Sequence, residues 1–225
     1  MVGISQASRF WPSLSEKDRG ELLALGQRRM FSVESVIIEQ DAPPGLVFVI
    51  LSGCVKVVAL DKSGYQAILA LRQAGDVVGE MASLDGGTRS ASVLVLSEVR
   101  ALTFRSEVFS TFIRAHREAA AVLQRCLAER LREADRHRAA AATYSTTQRL
   151  ARILIDLSRN HGSPQADGSV LIGLPLSQDD LAGLLSVSRR TVARIMEDWR
   201  SGDIVATGRL AIHIKDQGRL LAIAA

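Results

Sequence analysis

Three arginines, Arg189, Arg190 and Arg194, follow directly on a serine, Ser188. Ser188 has the makings of a helix cap, which puts the arginines on the first turns of a helix, with Arg190 and Arg194 four apart on one face. A guanidinium there can grip a guanine edge through two N–H groups or clamp a phosphate. Ser188, Thr191 and, one segment earlier, Gln178 offer hydroxyl and amide groups suited to a nucleic-acid backbone. The same residues would fit an ordinary helical hairpin with solvated arginines.

A second chemical cluster lies in Gly75-Asp-Val-Val-Gly-Glu-Met-Ala-Ser-Leu-Asp-Gly-Gly-Thr-Arg-Ser-Ala-Ser92. Glu80 and Arg89 are charges in an apolar, glycine-rich stretch, where a charge needs a partner or a ligand. An arginine beside a serine hydroxyl can hold a phosphate diester, and a carboxylate can accept a sugar hydroxyl. A helical turn beginning near Met81 would add backbone N–H donors. A buried Glu80–Arg89 ion pair closing the loop explains the residues equally well.

The elements that must position these groups follow from the texture of the chain. The first thirty residues read as helical, with Ser15 capping a segment from Glu16 to about Gln27 whose apolar side is Leu22, Leu23 and Leu25. Short β-rich runs follow: Val33 to Ile38, Leu46 to Leu51, Val55 to Leu60, Ala67 to Leu71, Ala91 to Leu96 and Arg100 to Phe104. Gly45, Gly53, Gly64 and Gly75 punctuate them, as in an antiparallel sandwich, barrel or roll. Ser106 to about Thr143 lacks glycine and proline and reads as one helix of about 50 Å. Leu123, Leu127, Leu131 and Ala134 make a narrow stripe along it, which favours self-association over packing within one chain. Ser145-Thr-Thr-Gln148 is a capping-box pattern that restarts a helix through Leu150, Ile153, Leu154 and Leu157, and His161 to Gly168 reads as a loop.

Two more helix starts sit close together at Ser177 and Ser188. Leu176 and Leu181, then Val187 and Val192, stand as hydrophobic staples. Leu181, Leu185, Val187, Val192 and Ile195 should face inward, and Ala182 allows a close crossing. The pair reads as a helix-turn-helix whose second helix enters the major groove by its N-terminal end. Two apolar runs flanking Thr207-Gly208 read as a β-hairpin, completing a winged helix. Agreement of caps, core spacing and arginines favours DNA reading over the plain hairpin.

Gly79-Glu80 followed by Arg89-Ser90-Ala91 resembles the phosphate-binding cassette of cyclic-nucleotide-binding domains. Joined to a long helix and a winged helix-turn-helix, about residues 10 to 215 resemble the cyclic-AMP receptor protein/FNR family of bacterial transcription regulators. The resemblance implies an α+β chain: an antiparallel β-roll sensor (1–105), a long dimerisation helix and hinge (106–144, bending at Ala142 to Tyr144), and a winged helix-turn-helix (145–225). It assigns Glu80 to a ribose 2′-hydroxyl and Arg89 and Ser90 to a cyclic phosphate, with Gly79 and Met81 completing the pocket. Ala134 and Asp135 match the positions that face the base, where the cyclic-AMP receptor protein itself has threonine and serine. Arg189, Arg190 and Arg194 match base-reading positions, although Arg190 replaces a glutamate there.

The implied effector is a cyclic nucleotide, cyclic AMP or a related one, with no further cofactor required. The implied partners are double-stranded DNA carrying an inverted repeat, a second copy of the chain, and RNA polymerase.

Composition narrows the classes. At 47% hydrophobic and 23% charged residues, wholesale disorder is excluded. The longest uncharged run, Ala42 to Val55, has 14 residues with two prolines and two glycines, too short and broken for a membrane span. Arg9, Glu16 and Lys17 have no apolar core between them, so no secretory signal is expected. Cys54 and Cys126 fit no metal or redox spacing, and His116, His137, His161 and His213 form no haem pair, so a cytoplasmic, metal-free protein is expected. Net charge is +4, with residues 1–113 holding 11 basic and 12 acidic side chains, so the basic excess lies in the second half. No clustered nucleophile and base and no phosphate-binding P-loop are visible, which argues against an enzyme. Two alternatives remain: a regulator of the same fold that does not respond to cyclic AMP, and a nucleotide-binding scaffold whose C-terminal helices contact protein.

Overall fold

A computed structural model describes residues 9–60, 66–208 and 211–225. Residues 1–8, 61–65 and 209–210 lie outside the described residues, and with them the turn expected at Gly64. The chain folds as two compact units, one reaching Arg130 and one comprising Leu131–Ala225.

The first unit opens with α1 (Phe10–Ser13) and α2 (Glu16–Leu25). The Ser15 hydroxyl caps α2 by accepting from the Asp18 N–H at 3.1 Å. Of the three leucines expected on its apolar side, Leu22 is buried, while Leu23 and Leu25 are 40% and 49% exposed. The chain then turns extended one residue past Gly26, so Gln27 belongs to strand β1 (Gln27–Phe31), not to the helix. Strands β2 (Val36–Ile38), β3 (Leu46–Leu60), β4 (Gln66–Gln73), β5 (Val77–Val78) and β6 (Ser92–Arg105) complete an antiparallel six-stranded sheet. Its main path runs β1-β6-β3-β4, with β2 on β6 and β5 on β3.

Two expected strand pairs are single strands, β3 and β6. Gly53 does not end β3 but sits within it at φ +86°, where a Cβ would stand 2.1 Å from the Glu98 carbonyl oxygen. The register against β6 slips on both sides of this point, so the glycine lets the strand bulge and continue. β3 is also buried on both faces. Val47 and Val49 join a cluster with Phe10, Leu22, Phe104 and Leu123, while Phe48 and Ile50 join Ile38, Val93, Val95 and Val99. Period-two alternation sends successive residues of one apolar run into two cores.

Between β5 and β6 lies α3 (Glu80–Asp85). The expected single helix from Ser106 is two: α4 (Ser106–Ala115) and α5 (Arg117–Thr143), broken at His116 (φ −114°, ψ 93°). The break has no glycine or proline behind it. The His116 ring bonds the Phe112 carbonyl oxygen at 2.9 Å and Glu21 Oε2 at 2.7 Å, tying the junction to α2. From α5, Ala119, Val122, Leu123 and Cys126 pack into the first unit's core with Leu127 at its margin, whereas Leu131 is 62% exposed.

In the second unit the Ser145–Gln148 capping box starts α6 (Thr146–His161), which buries Leu150, Ile153, Leu154 and Leu157 as expected. The expected loop after His161 contains a strand, β7 (Gly162–Pro164), paired with β8 (Val170–Ile172). α7 (Gln178–Leu185) and α8 (Arg189–Ser201) follow. Then come β9 (Val205–Gly208) and β10 (Ala211–Ile214), in a sheet ordered β7-β8-β10-β9, and a final helix, α9 (Gln217–Ala224).

Candidate functional site

The cassette between β5 and β6 is built on backbone that only glycine tolerates easily. Gly79 has φ +80°, and a Cβ there would stand 2.8 Å from the Leu46 carbonyl oxygen and 3.0 Å from Arg89 Nη1. This close approach brings Gly79, Glu80 and Arg89 together. Glu80 and Arg89 are only 3% and 5% exposed. The Arg89 fork bridges the start of α3 and strand β3: Nη1 donates to the Gly79 carbonyl at 2.6 Å and Nη2 to the Leu46 carbonyl at 2.8 Å. Its backbone pairs with Ala42 and Asp41 across the loop. Burial pushes the Arg89 guanidinium below its ordinary range, and the nearby Glu80 charge opposes that shift.

A Glu80–Arg89 pair is not what closes the loop. The Glu80 carboxylate accepts instead from Arg130 of α5, Nη1 to Oε1 at 2.6 Å, while Arg130 Nη2 donates to the Val77 carbonyl at 2.7 Å. Asp76 stands 3.9 Å from the same guanidinium. Arg130 is a residue of the candidate site that the sequence reading did not single out. One signal was present: it lies seven residues beyond Leu123, so it is a charge set on the apolar stripe of α5. Met81, at 53% exposure, and Ser90 flank the buried Glu80 and Arg89 at the surface. Ala134 and Asp135 are exposed residues of the second unit, and Asp135 accepts from Arg138.

The helix pair in the second unit is held by its caps. Ser177 and Asp180 form a reciprocal capping box on α7, and the Ser188 hydroxyl accepts from the Thr191 N–H at 3.2 Å on α8. Ser186 ends α7 in the left-handed region (φ 55°, ψ 48°) and makes the turn. Arg149 of α6 donates to the Leu185 carbonyl, one of the groups a helix C-terminus leaves without an internal partner. Leu181, Leu185, Val192 and Ile195 are buried and Val187 is half-buried, so the inward face is the expected one.

Arg189, Arg190 and Arg194 are exposed on the first turns of α8, Thr191 of α8 and Gln178 of α7 are half-buried, and Ser188 is exposed. Arg189 Nε lies 3.8 Å from Asp179 Oδ2. Arg190 and Arg194 have no ion-pair partner among the described residues. β9 and β10 pair in register next to this helix pair, and Arg200 of α8 reaches Thr207 of β9 at 3.0 Å. Among the described residues no group of three His, Cys, Asp or Glu side chains is placed to hold a metal ion, and no helix is long and apolar enough to cross a membrane.

Two domain families match this chain: the cyclic nucleotide-binding domain over residues 28–116, and the Crp-like helix-turn-helix domain over residues 148–223. The chain is 27% identical over 219 residues to the cyclic AMP receptor protein of Thermus thermophilus, covering 97% of this chain and 98% of that one. It is 27% identical over 184 residues to a CRP-like cAMP-activated global transcriptional regulator of Mycobacterium tuberculosis, covering 82% of each. Its fold matches the c-di-GMP responsive global regulator CLP of Xanthomonas campestris with a TM-score of 0.76 at 20% identity, over 90% of this chain and 100% of that one. With a match to the cyclic nucleotide-binding domain family followed by one to the Crp-like helix-turn-helix family in one chain, the protein belongs to the cyclic-AMP receptor protein/FNR family of transcription regulators.

Proposed function

We propose that the protein is a homodimeric transcription regulator whose affinity for an inverted-repeat operator is set by a cyclic nucleotide in the β-roll. The observation that carries this reading is that two nearly buried charges, Glu80 and Arg89, are brought together at a cradle made by Gly79 while each is held by a different partner. Their donor and acceptor sets suit such a ligand. Arg89 bonds two carbonyls and retains N–H groups for a phosphate, with the Ser90 hydroxyl adjacent. Arg130 engages Oε1 of Glu80, which leaves Oε2 to accept from a ribose hydroxyl. Arg189, Arg190 and Arg194 then read or clamp DNA, and Thr191, Ser188 and Gln178 approach its backbone. The exposed Leu131 on α5 supports a seam between two copies.

One observation favours an alternative, the same regulator with DNA binding not governed by cyclic AMP. Arg89 already donates one N–H from each Nη to a carbonyl group, so its side chain is held in place without an anion.

Two experiments separate the readings. Nucleotide-stripped protein is titrated calorimetrically with cyclic AMP, cyclic GMP and cyclic di-GMP, and duplexes of random sequence are selected with and without each nucleotide. The leading reading expects binding heat from one nucleotide and its loss in Arg89→Ala. It also expects an enriched inverted repeat with half-site centres roughly 34–36 Å apart. An enriched repeat with no nucleotide heat would establish the alternative, and no enriched sequence under any condition would end both.

A further inference from the structure

The first turn of α7 carries two consecutive carboxylates, Asp179 and Asp180, and the structure gives them different tasks. Asp180 is 8% exposed, and its Oδ2 accepts from the Ser177 N–H at 2.9 Å and the Ser177 hydroxyl at 2.7 Å. It completes the capping box. Asp179 takes no part in the cap. Its side chain is 68% exposed and Oδ2 stands 3.8 Å from Arg189 Nε, across the turn between the two helix starts. Of the three arginines that open α8, Arg189 alone has an ion-pair partner among the described residues. A carboxylate on a surface otherwise suited to a polyanion calls for an explanation, because it repels every phosphate that approaches.

We propose that Asp179 is a positioning residue that sets operator specificity by holding the Nε side of Arg189. This rests on the reading of α8 as the DNA-recognition helix. In free protein the pair is solvated and contributes little to stability. Docking on DNA excludes water and strengthens the attraction. With Nε turned to Asp179, the guanidinium presents its Nη1 and Nη2 end, the fork that matches guanine O6 and N7. Arg189 is thereby kept from folding back on a neighbouring phosphate, a contact that any sequence would reward. The Asp179 charge also lowers affinity for all DNA. The operator recovers that loss through the guanine contact and other sequences do not, so discrimination is gained from repulsion as well as attraction.

The test compares sequence selection from a pool of random duplexes by the full-length parent, Asp179→Asn, Arg189→Ala and the double variant, with affinities for the selected operator and for a scrambled duplex. Asp179→Asn keeps the shape and removes the charge. It should bind scrambled duplex about 3–10-fold more tightly, the scale of one phosphate-proximal charge. Its preference at one base pair of each half-site should fall at least ~3-fold, part of the discrimination carried by one bidentate contact. That base pair should be the one lost in Arg189→Ala. In the Arg189→Ala background the Asp179 substitution should leave the selected sequences unchanged, and Asp179→Glu should retain part of the preference.

Tighter binding to all sequences with unchanged preferences would overturn the proposal and leave Asp179 a plain surface charge. A preference change that persists without Arg189 would overturn it in favour of a direct contact. A parent protein that enriches no sequence would remove the DNA reading itself, and this proposal with it.

Discussion

Arg130 of α5 donates to the carboxylate of Glu80 at 2.6 Å, across fifty residues of sequence, and with its other nitrogen to the Val77 carbonyl. The long helix thus grips the base of the nucleotide-type cassette through one guanidinium. Side-chain exposures are 16% and 4%, so neither charge is well hydrated. Removing one partner of such a pair leaves the other buried and uncompensated, at a cost of roughly 3 kcal/mol. Arg130→Leu should therefore destabilise the β-roll unit by about that amount in denaturant unfolding. Arg130→Leu combined with Glu80→Gln should lose less than Arg130→Leu alone, since the buried Glu80 carboxylate is no longer left without its partner. Additive losses would mean that the pair is not coupled.

His116 makes two acceptor contacts at once, to the Phe112 carbonyl and to Glu21 Oε2, and its ring stacks on Phe112 at 4.1 Å between centroids. Both ring nitrogens donate only in the imidazolium form. The Phe112 carbonyl first, and then Glu21 and the more distant Asp18, hold its pKa above the ordinary 6.5 against some loss from burial. The tie from α2 to the α4–α5 junction should be complete below pH 6.5 and weaken as pH rises through the higher folded-state value. Comparing thermal melts of the parent and His116→Gln between pH 6 and 9 checks this. The gap between them should be largest at the acid end.

Much of the second unit could be read from local chemistry. Ser145, Ser177 and Ser188 signal helix starts because capping is a short-range event written in three or four residues. The first unit hid more. Gly53 looks like a stop in any strand pattern, and only the Glu98 carbonyl beside it, forty-five residues away in sequence, shows it to be a bulge. Gln27 to Met30 is fully exposed and shows no alternation of apolar and polar residues, so nothing in it announces a strand. The break at His116 depends on Glu21 and the role of Arg130 on Glu80, both long-range partners that no local pattern encodes. The cassette residues themselves were legible because a glutamate and an arginine among glycines and valines demand an explanation.

Ser186 holds the turn of the helix pair in the left-handed region, where a Cβ is strained and glycine is not. Its side chain is exposed, so little packing is lost on removal. Ser186→Gly should stabilise the C-terminal unit by about 0.5–1 kcal/mol, offset in part by the greater freedom of glycine when unfolded. A higher thermal midpoint with unchanged DNA selection is the expected outcome. A lower midpoint would show that the serine contributes something beyond its backbone.

Asp156 of α6 lines a cavity of about 200 Å³ with Arg152, Ile155, Arg159 and Leu221. Burial raises its carboxyl from 3.8 to about 6, against the opposing charges of Arg159 and Arg152 and with help from Glu133. For an acid shifted upward, the folded state binds the proton more tightly than the unfolded state. Stability therefore falls as pH rises from about 4 to 6, and the cost of the buried charge is fully present above that. Asp156→Asn should stabilise the C-terminal unit by about 1–3 kcal/mol at pH 7.5 and by little near pH 4. Urea unfolding at the two pH values reads both.

Leu123 and Leu131 lie on one stripe of α5 yet have opposite fates. Leu123 is 1% exposed within the core shared with Phe104 and Phe109, and Leu131 is 62% exposed. A charge at Leu123 would be buried among aromatic rings and should unfold the β-roll unit. A charge at Leu131 meets water in a single copy of the chain and should leave its fold intact. In a two-fold dimer along α5 the same residue would be buried against its counterpart, so each substitution counts twice and like charges face each other. Leu131→Glu should thus keep the parent's circular dichroism and thermal midpoint at low concentration while shifting sedimentation to monomer. It should weaken binding to a two-half-site operator far more than to a single half-site, because the second half-site is held only through the linkage. A Leu131→Glu protein that remains dimeric would place the interface on another surface.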